Sequence, residues 1–149
     1  MRSRCPITYE LLGPDEAGPY SAVGLKRLDR NLRRLEDLPL SAEGLRQEAV
    51  RRAAKMSIQG LQPKVSAVLR VTRGAFEIVD ARGRWILKPQ SQTFPELPEN
   101  EDLTMRLATL AGVDVPVHAL VRSKDGSWTY VVERFDRSTR GRKLAVEDF

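Results

Sequence analysis

Three β-type runs joined by short glycine-containing links constrain the fold of this chain more than any other feature. Residues 65–71, 75–80 and 84–88 are rich in valine, isoleucine, phenylalanine and tryptophan. The links, Thr72-Arg73-Gly74 and Ala81-Arg82-Gly83, are short and each ends in glycine. Runs of this kind, joined by tight glycine turns, predict three antiparallel strands arranged as a meander.

A helix and two further strands are predicted after the meander. Acidic residues at the start of 99–111 favour the positive end of a helix, and Gly112 is a plausible stop. The helix carries a leucine stripe that is predicted to face the core: Leu103, Leu107 and Leu110. Strands are expected at 117–122 and 127–135, joined by a turn containing Gly126. The order indicates an α+β domain with about five antiparallel strands and one packed helix, an order that unrelated domains also share.

The N-terminal third has a different pattern. Alternation over residues 7–11 predicts a short half-buried strand. Leucines recur at helical spacing between Leu25 and Leu38 with five basic residues among them, which predicts a basic amphipathic helix. Its charged side can be a solvated face or a docking face for nucleic acid or an acidic partner. Ser41 is a suitable cap for a second helix running toward Lys55.

Composition excludes several classes of protein. The formal net charge of +5 suits contact with phosphates, nucleotides, nucleic acid or an acidic partner without choosing among them. With Cys5 as the single cysteine and His118 as the single histidine, a disulfide framework and a cysteine-based zinc site are excluded. His118 is expected to be structural. No apolar run approaches the ~20 residues of a membrane span, so a soluble cytoplasmic protein is expected.

Candidate site residues lie around the predicted sheet. Residues 56–64 can form a phosphate-binding loop, with Gly60 for close approach and Lys64 for charge, or an ordinary polar turn. Lys88 ends an apolar strand, where kinases place a lysine that neutralises nucleotide phosphates and is held by a helix glutamate. Glu101 lies off the leucine stripe and is the candidate partner, although it could merely favour the helix N-terminus. Residues 131–137 leave an apolar strand and become charged, as an adenine-binding edge or an ordinary strand end.

Taken together, these pieces resemble the HipA family of serine/threonine kinases. The resemblance covers roughly residues 57–137 and rests on the order of five stretches: Ser57-Ile58-Gln59-Gly60-Leu61-Gln62-Pro63-Lys64, Ile86-Leu87-Lys88-Pro89, Glu99-Asn100-Glu101, Asp114-Val115-Pro116-Val117-His118 and Val132-Glu133-Arg134-Phe135-Asp136-Arg137. Residues 20–28 look like the short toxin kinase HipT of HipBST toxin–antitoxin systems. The resemblance implies a kinase N-lobe over 56–137, preceded by a strand and basic helical segment over 1–55. A linker and the expected start of a C-lobe follow over 138–149.

The resemblance also implies roles for individual residues. Ser57 matches the family's autophosphorylated serine, and its phosphate would compete with the phosphates of ATP. Gly60, Lys64 and Lys88 would contact the ATP phosphates. The other ATP-binding positions are the helix glutamate and the adenine and ribose edge: Glu101, Glu133, Phe135 and Asp136. Gln59 stands where some HipT proteins have a second loop serine, which puts two-site control in doubt.

For the parent protein, the resemblance implies a kinase that uses ATP and Mg²⁺. It would phosphorylate an aminoacyl-tRNA synthetase and be held by antitoxin proteins of the HipB or HipS type, contacting DNA only through the antitoxin. The family's catalytic base and metal-binding aspartate belong to a C-lobe, so no catalytic or metal-binding residue is expected within this chain, which alone would be inactive. The alternative is a non-enzymatic interaction domain that binds an antitoxin partner or nucleic acid through its basic helix.

Overall fold

The computed structural model describes residues 3–16, 18–53 and 62–137. Ser57, Gln59 and Gly60 therefore lie outside the described residues, as does the predicted linker over 138–149. The described elements, in chain order, are α1 (Ala22–Leu28), α2 (Ala42–Arg52), β1 (Val65–Arg70), β2 (Ala75–Ile78), β3 (Trp85–Pro89), α3 (Leu97–Leu110), β4 (His118–Arg122) and β5 (Trp128–Glu133). The predicted α+β fold, an antiparallel sheet of five strands with a packed helix like a kinase N-lobe, is confirmed.

The strands form one antiparallel sheet in the order β2-β1-β3-β5-β4. The predicted meander is wrong, because β3 pairs with β1 rather than with β2. The chain leaves β2 opposite Ala67 and returns as β3 on the other edge of β1, again opposite Ala67. Gly83 allows this crossing, since a Cβ atom there would lie 2.0 Å from Ser66 Oγ and 2.9 Å from the Ala67 backbone nitrogen.

One face of the sheet forms the main core together with the N-terminal segment. Strand alternation brings Leu87 and its cross-strand neighbour Val131 onto this face, where both are fully buried. The leucines of the N-terminal segment and of α2 complete the cluster: Leu25, Leu28, Leu32, Leu35, Leu38 and Leu45. Ser41 caps α2 as predicted, with its hydroxyl accepting a hydrogen bond from the Gly44 backbone N–H at 3.1 Å.

The basic helix predicted from Leu25 to Leu38 is wrong in its length. The helix ends at Leu28, and Asp29 has extended backbone geometry. The Asp29 side chain then accepts a hydrogen bond from the Asn31 backbone N–H at 2.8 Å, a local bond that competes with helix continuation. The four predicted leucine positions are nevertheless all buried, because an irregular segment delivers Leu32 and Leu35 to the core.

The N-terminal strand predicted over residues 7–11 is also wrong. Residues 6–8 form a turn, and the only strand-like pairing there is a single antiparallel bridge between Arg4 and Leu11 among the described residues. Tyr9 adopts a left-handed backbone conformation with φ of 64°, which interrupts an extended run. We call residues 5–9 the N-terminal turn.

The leucine stripe of α3 faces the opposite way from the prediction. Leu103, Leu107 and Leu110 are 48%, 56% and 84% exposed, whereas the buried residues of the helix are Pro98 and Asp102. The helix ends close to the predicted position, with Gly112 at φ of 82° just beyond it. The buried side of α3 thus carries a proline and a carboxylate in place of the leucine stripe.

No helix within the described ranges is long and apolar enough to cross a membrane.

Candidate functional site

The sheet face opposite the main core forms the floor of a cleft. Side chains alternate along a strand, so Ile86 and Lys88 point away from the face that carries Leu87. In β5 the residues directly opposite them are Val132 and Tyr130. These four side chains line a cleft of about 810 Å³, a volume in the range of small-molecule sites.

An ion pair between the sheet and α3 lies inside this cleft. Lys88 Nζ is 2.7 Å from Glu101 Oε2, and the two side chains are 23% and 21% exposed. The Lys88 ammonium also lies 5.7 Å from the centre of the Tyr130 ring, within the range of a cation–π contact. The predicted pairing of Lys88 with Glu101 is therefore present, on the side of α3 that the leucines leave free.

A second lysine contributes positive charge to the same cleft. Lys64 precedes β1 and lines the cleft together with Lys88 and Glu101. Burial lowers the pKa of Lys64, repulsion from Lys88 lowers it further, and attraction to Glu101 partly offsets both effects. Lys64 and Lys88 both bring positive charge to this end of the cleft, which favours an anionic ligand.

The end of β5 forms the other rim of the cleft. Glu133, Phe135 and Asp136 line it, and Phe135 is 71% exposed. Glu133 Oε1 accepts a hydrogen bond from Arg84 at 2.6 Å, while its backbone N–H donates to the Val117 carbonyl. Fixed backbone at this exit gives the rim a defined geometry.

Asp136 is held by a neighbouring arginine. The Arg134 Nε donates to Asp136 Oδ1 at 2.7 Å, and the two side chains form a two-point ion pair. These hydrogen bonds lower the pKa of the Asp136 carboxyl below its usual range, although burial acts in the opposite direction. Asp136 is therefore ionised at neutral pH and sits at the mouth of the cleft.

The cleft gathers the predicted site residues that the structure describes: Lys64, Lys88, Glu101, Glu133, Phe135 and Asp136. Ser57 and Gly60 lie outside the described residues. Ile86, Val132 and Tyr130 also line the cleft and were not predicted from the sequence as site residues. Strand alternation from Lys88 and the pairing of β3 with β5 would have identified them, had the register been known.

A second polar cluster lies beside the cleft, centred on Asp102. This carboxylate is fully buried and accepts hydrogen bonds from Tyr9 Oη at 2.7 Å and Arg106 Nε at 2.7 Å. His118 Nδ1 lies 2.8 Å from its other oxygen. His118 thus has a buried partner within the fold, which agrees with the structural role expected for it.

The fold and the cleft define a kinase N-lobe-like domain with a lysine–glutamate pair at its centre. Comparison with known families agrees, because residues 56–149 match the model of the HipA-like C-terminal domain. The chain belongs to the HipA-type kinase family.

Relatives with kinase names cover most of the chain. It is 33% identical over 148 residues to a Haemophilus influenzae protein named "Putative kinase", a match covering 96% of this chain and 43% of the relative. It is 39% identical over 127 residues to "Putative kinase Y4mE" of Sinorhizobium fredii, covering 83% of this chain and 29% of that protein. The chain therefore spans less than half the length of these curated relatives.

Proposed function

We propose that the cleft binds ATP and that this chain is the nucleotide-gripping part of a HipA-type serine/threonine kinase. The observation that carries the proposal is the Lys88–Glu101 pair, 2.7 Å apart inside a cleft of about 810 Å³. A lysine on the third strand held by a helix glutamate is the arrangement with which kinases bind nucleotide phosphates. Family membership supports the same assignment.

Each end of the cleft suits a different part of the nucleotide. Lys88 and Lys64 supply positive charge for the phosphates at one end. Ile86 and Val132 offer an apolar surface for the adenine ring, with the backbone of residues 133–135 at its edge. Asp136 is an ionised acceptor suited to a ribose hydroxyl. Gly60 belongs to the same proposal through the family resemblance.

Bound ATP would supply the phosphoryl group. This chain's residues orient it: the Lys88 ammonium neutralises phosphate charge, and Glu101 keeps that ammonium in place before the nucleotide arrives. The described residues contain no group of three or more histidine, cysteine, aspartate or glutamate side chains that could hold a metal ion. The proposal assigns Mg²⁺ to the whole kinase, and it names no ligand for the ion among the described residues.

The wider proposal follows the family resemblance. The whole kinase would phosphorylate an aminoacyl-tRNA synthetase in the cytoplasm and would be restrained by antitoxin proteins of the HipB or HipS type. Autophosphorylation of Ser57 would silence it, as in a HipT-like toxin, because the added phosphate would occupy the donors that bind ATP.

The test is titration of the 149-residue chain with ATP by calorimetry, comparing Lys88→Met with Lys124→Met. Lys124 is an exposed lysine in the β4–β5 turn and is the matched control. Hydrogen bonds to charged groups contribute about 1.5–3 kcal/mol, so Lys88→Met is expected to weaken binding about ten- to hundredfold. Lys124→Met should bind like the unaltered chain. Equal affinity of the two variants, or no binding by the unaltered chain, would reject the proposal.

A further inference from the structure

The rotation of α3 about its axis decides whether Glu101 can reach Lys88, and the predicted leucine stripe does not fix that rotation. The helix turns its leucines outward and buries only Pro98 and Asp102. Most amphipathic helices are oriented by an apolar stripe against the core. Here a buried carboxylate occupies the place of that stripe.

Asp102 is bonded from three parts of the chain. Oδ2 accepts from Tyr9 Oη of the N-terminal turn and from Arg106 Nε one helical turn further along α3. Oδ1 lies 2.8 Å from His118 Nδ1 at the start of β4. Both carboxylate oxygens are therefore engaged, and they connect α3 to the edge of the sheet and to the N-terminal turn.

The N-terminal turn is attached to α3 by Arg106 as well. Arg106 Nη2 donates to the carbonyls of Pro6 and Ile7 at 3.2 and 2.6 Å, and its guanidinium lies 3.6 Å from the centre of the Tyr9 ring. Tyr9 makes these contacts from a left-handed backbone conformation, φ of 64°, which is unfavourable for a residue with a side chain. Surrounding contacts must hold such a residue in place, and such residues cluster at functional positions.

We infer that Asp102 is a positioning residue, which with the N-terminal turn holds α3 in the rotation that presents Glu101 to Lys88. Glu101 and Asp102 are consecutive, so their side chains leave the helix about 100° apart and turn together. A rotation of about 20° at a radius of about 5–6 Å would move the Glu101 carboxylate by roughly 2 Å. That displacement would break a contact of 2.7 Å. The consequence for nucleotide affinity rests on the proposed function.

The pKa shifts of Asp102 and Tyr9 keep the carboxyl ionised and the hydroxyl protonated, as their hydrogen bond requires. Burial raises the pKa of Asp102, but the hydrogen bonds from His118, Arg106 and Tyr9 outweigh it and lower the pKa below its usual range. Burial and the hydrogen bond to Asp102 raise the pKa of Tyr9 to about 12. At neutral pH the tyrosine hydroxyl therefore remains a donor to an ionised carboxylate.

Two tyrosine variants separate positioning from general stability. Tyr9→Phe removes the hydroxyl that donates to Asp102 and leaves the ring beside Arg106. Tyr20→Phe is the matched control, because its hydroxyl accepts from the Arg122 backbone N–H at 2.9 Å, on β4 rather than on α3. Both changes delete one buried hydroxyl bond, so both should lower the melting temperature. Asp102→Asn is the stronger perturbation, and Tyr9→Phe serves if that variant fails to fold.

The direct readout is the Lys88 ammonium, observed by NMR in the 149-residue chain labelled with ¹⁵N on its six lysines. Its signal is identified as the one missing from Lys88→Arg. In Tyr9→Phe we expect this signal to move toward that of the exposed Lys124, whereas in Tyr20→Phe it should stay. ATP affinity should fall about three- to tenfold in Tyr9→Phe and remain unchanged in Tyr20→Phe.

The two readouts keep this inference distinct from the proposed function. If the unaltered chain binds no ATP, the proposed function fails, while the Lys88 signal still tests the positioning role. If the unaltered chain binds ATP but the Lys88 signal and the affinity respond alike in both tyrosine variants, the positioning role is overturned and the proposed function stands. A shifted Lys88 signal confined to Tyr9→Phe supports the inference.

Discussion

Lys88 and Glu101 should stabilise the fold as a pair. The losses of unfolding free energy caused by removing each partner alone should sum to more than the loss caused by removing both. The pair is mostly buried, with side chains 23% and 21% exposed. Glu101→Gln removes the carboxylate that pairs with the Lys88 ammonium and leaves that ammonium near Lys64. Burial in these surroundings already lowers the pKa of Lys64, so a charged lysine is unfavourable there. Lys88→Met leaves Glu101 partly buried without its cation. The double variant removes both unpaired charges.

The size of this coupling follows from the burial of the pair. Exposed ion pairs contribute about 0.2–1 kcal/mol, and hydrogen bonds to charged groups in protected surroundings about 1.5–3 kcal/mol. A pair that is roughly four-fifths covered lies between these cases, and we expect a coupling free energy of about 1–2 kcal/mol. The losses of unfolding free energy in the two single variants should therefore sum to about 1–2 kcal/mol more than the loss in the double variant.

Urea unfolding of the four proteins in this cycle gives the coupling directly. The matched control is the Arg70–Glu77 pair, a cross-strand pair at 3.0 Å in an exposed setting on β1 and β2. Its coupling should be smaller and should decline with added salt, because exposed charges are screened. A coupling for Lys88 and Glu101 no larger than that of the control pair would refute the reasoning from burial.

Further predictions concern the fold around the cleft. Asp102 has a folded-state pKa below its ordinary value of 3.8, so its stabilising contribution is present above that value and is lost as the pH falls through the folded pKa. When the free energy of unfolding is measured at decreasing pH, this part of the acid-induced loss should be absent in Asp102→Asn. Gly83→Ala should lower the free energy of unfolding by at least about 1–3 kcal/mol in urea unfolding, because the new Cβ would lie 2.0 Å from Ser66 Oγ. Ser41→Ala should cost about 1 kcal/mol by the same measurement through loss of the α2 cap. Leu107→Ser should leave the melting temperature nearly unchanged, since the side chain is 56% exposed; a large loss would mean that the leucine stripe is buried after all.

For the sheet itself, the sequence predicted the five segments that form strands but not how they are ordered. Hydrophobic runs bounded by glycine mark strands because both signals are local. Pairing is not local: the six residues from Val79 to Arg84 can form a hairpin or cross over β1, and both fit the same pattern. The choice rests on the close approach of Gly83 to Ser66 and Ala67, which only the folded chain reveals.

The N-terminal leucines show the same division between burial and conformation. Leu25, Leu28, Leu32 and Leu35 were predicted to share one side of a helix, and all four are buried. Burial was predictable from hydrophobicity, but the helix was not, because the Asp29 side chain bonds the Asn31 backbone and the chain continues in irregular form. The basic side chains of this segment, predicted to form either a solvated face or a docking face of one helix, consequently do not share one helix: of these five, α1 carries Lys26 and Arg27.

The orientation of α3 was predicted wrongly, and yet Glu101 lies where the sequence placed it, off the leucine stripe and beside Lys88. Helical spacing places Glu101 on the side of α3 opposite the leucines, whichever side of the helix meets the sheet. What the pattern could not reveal is which side meets the sheet. That depends on Asp102 finding donors 93 residues earlier, at Tyr9, and 16 residues later, at His118.

Those donors explain why a polar side of α3 can face the protein. A buried carboxylate is unfavourable unless it is fully hydrogen-bonded, and Asp102 meets this condition through both of its oxygens. The bonds of such a cluster are directional, so they define the rotation of a helix more narrowly than contacts among leucines would. With α3 held this way, Glu101 extends into the cleft and meets Lys88, and the leucine side is left outward. The exposed stripe and the lysine–glutamate pair are therefore two consequences of one buried aspartate.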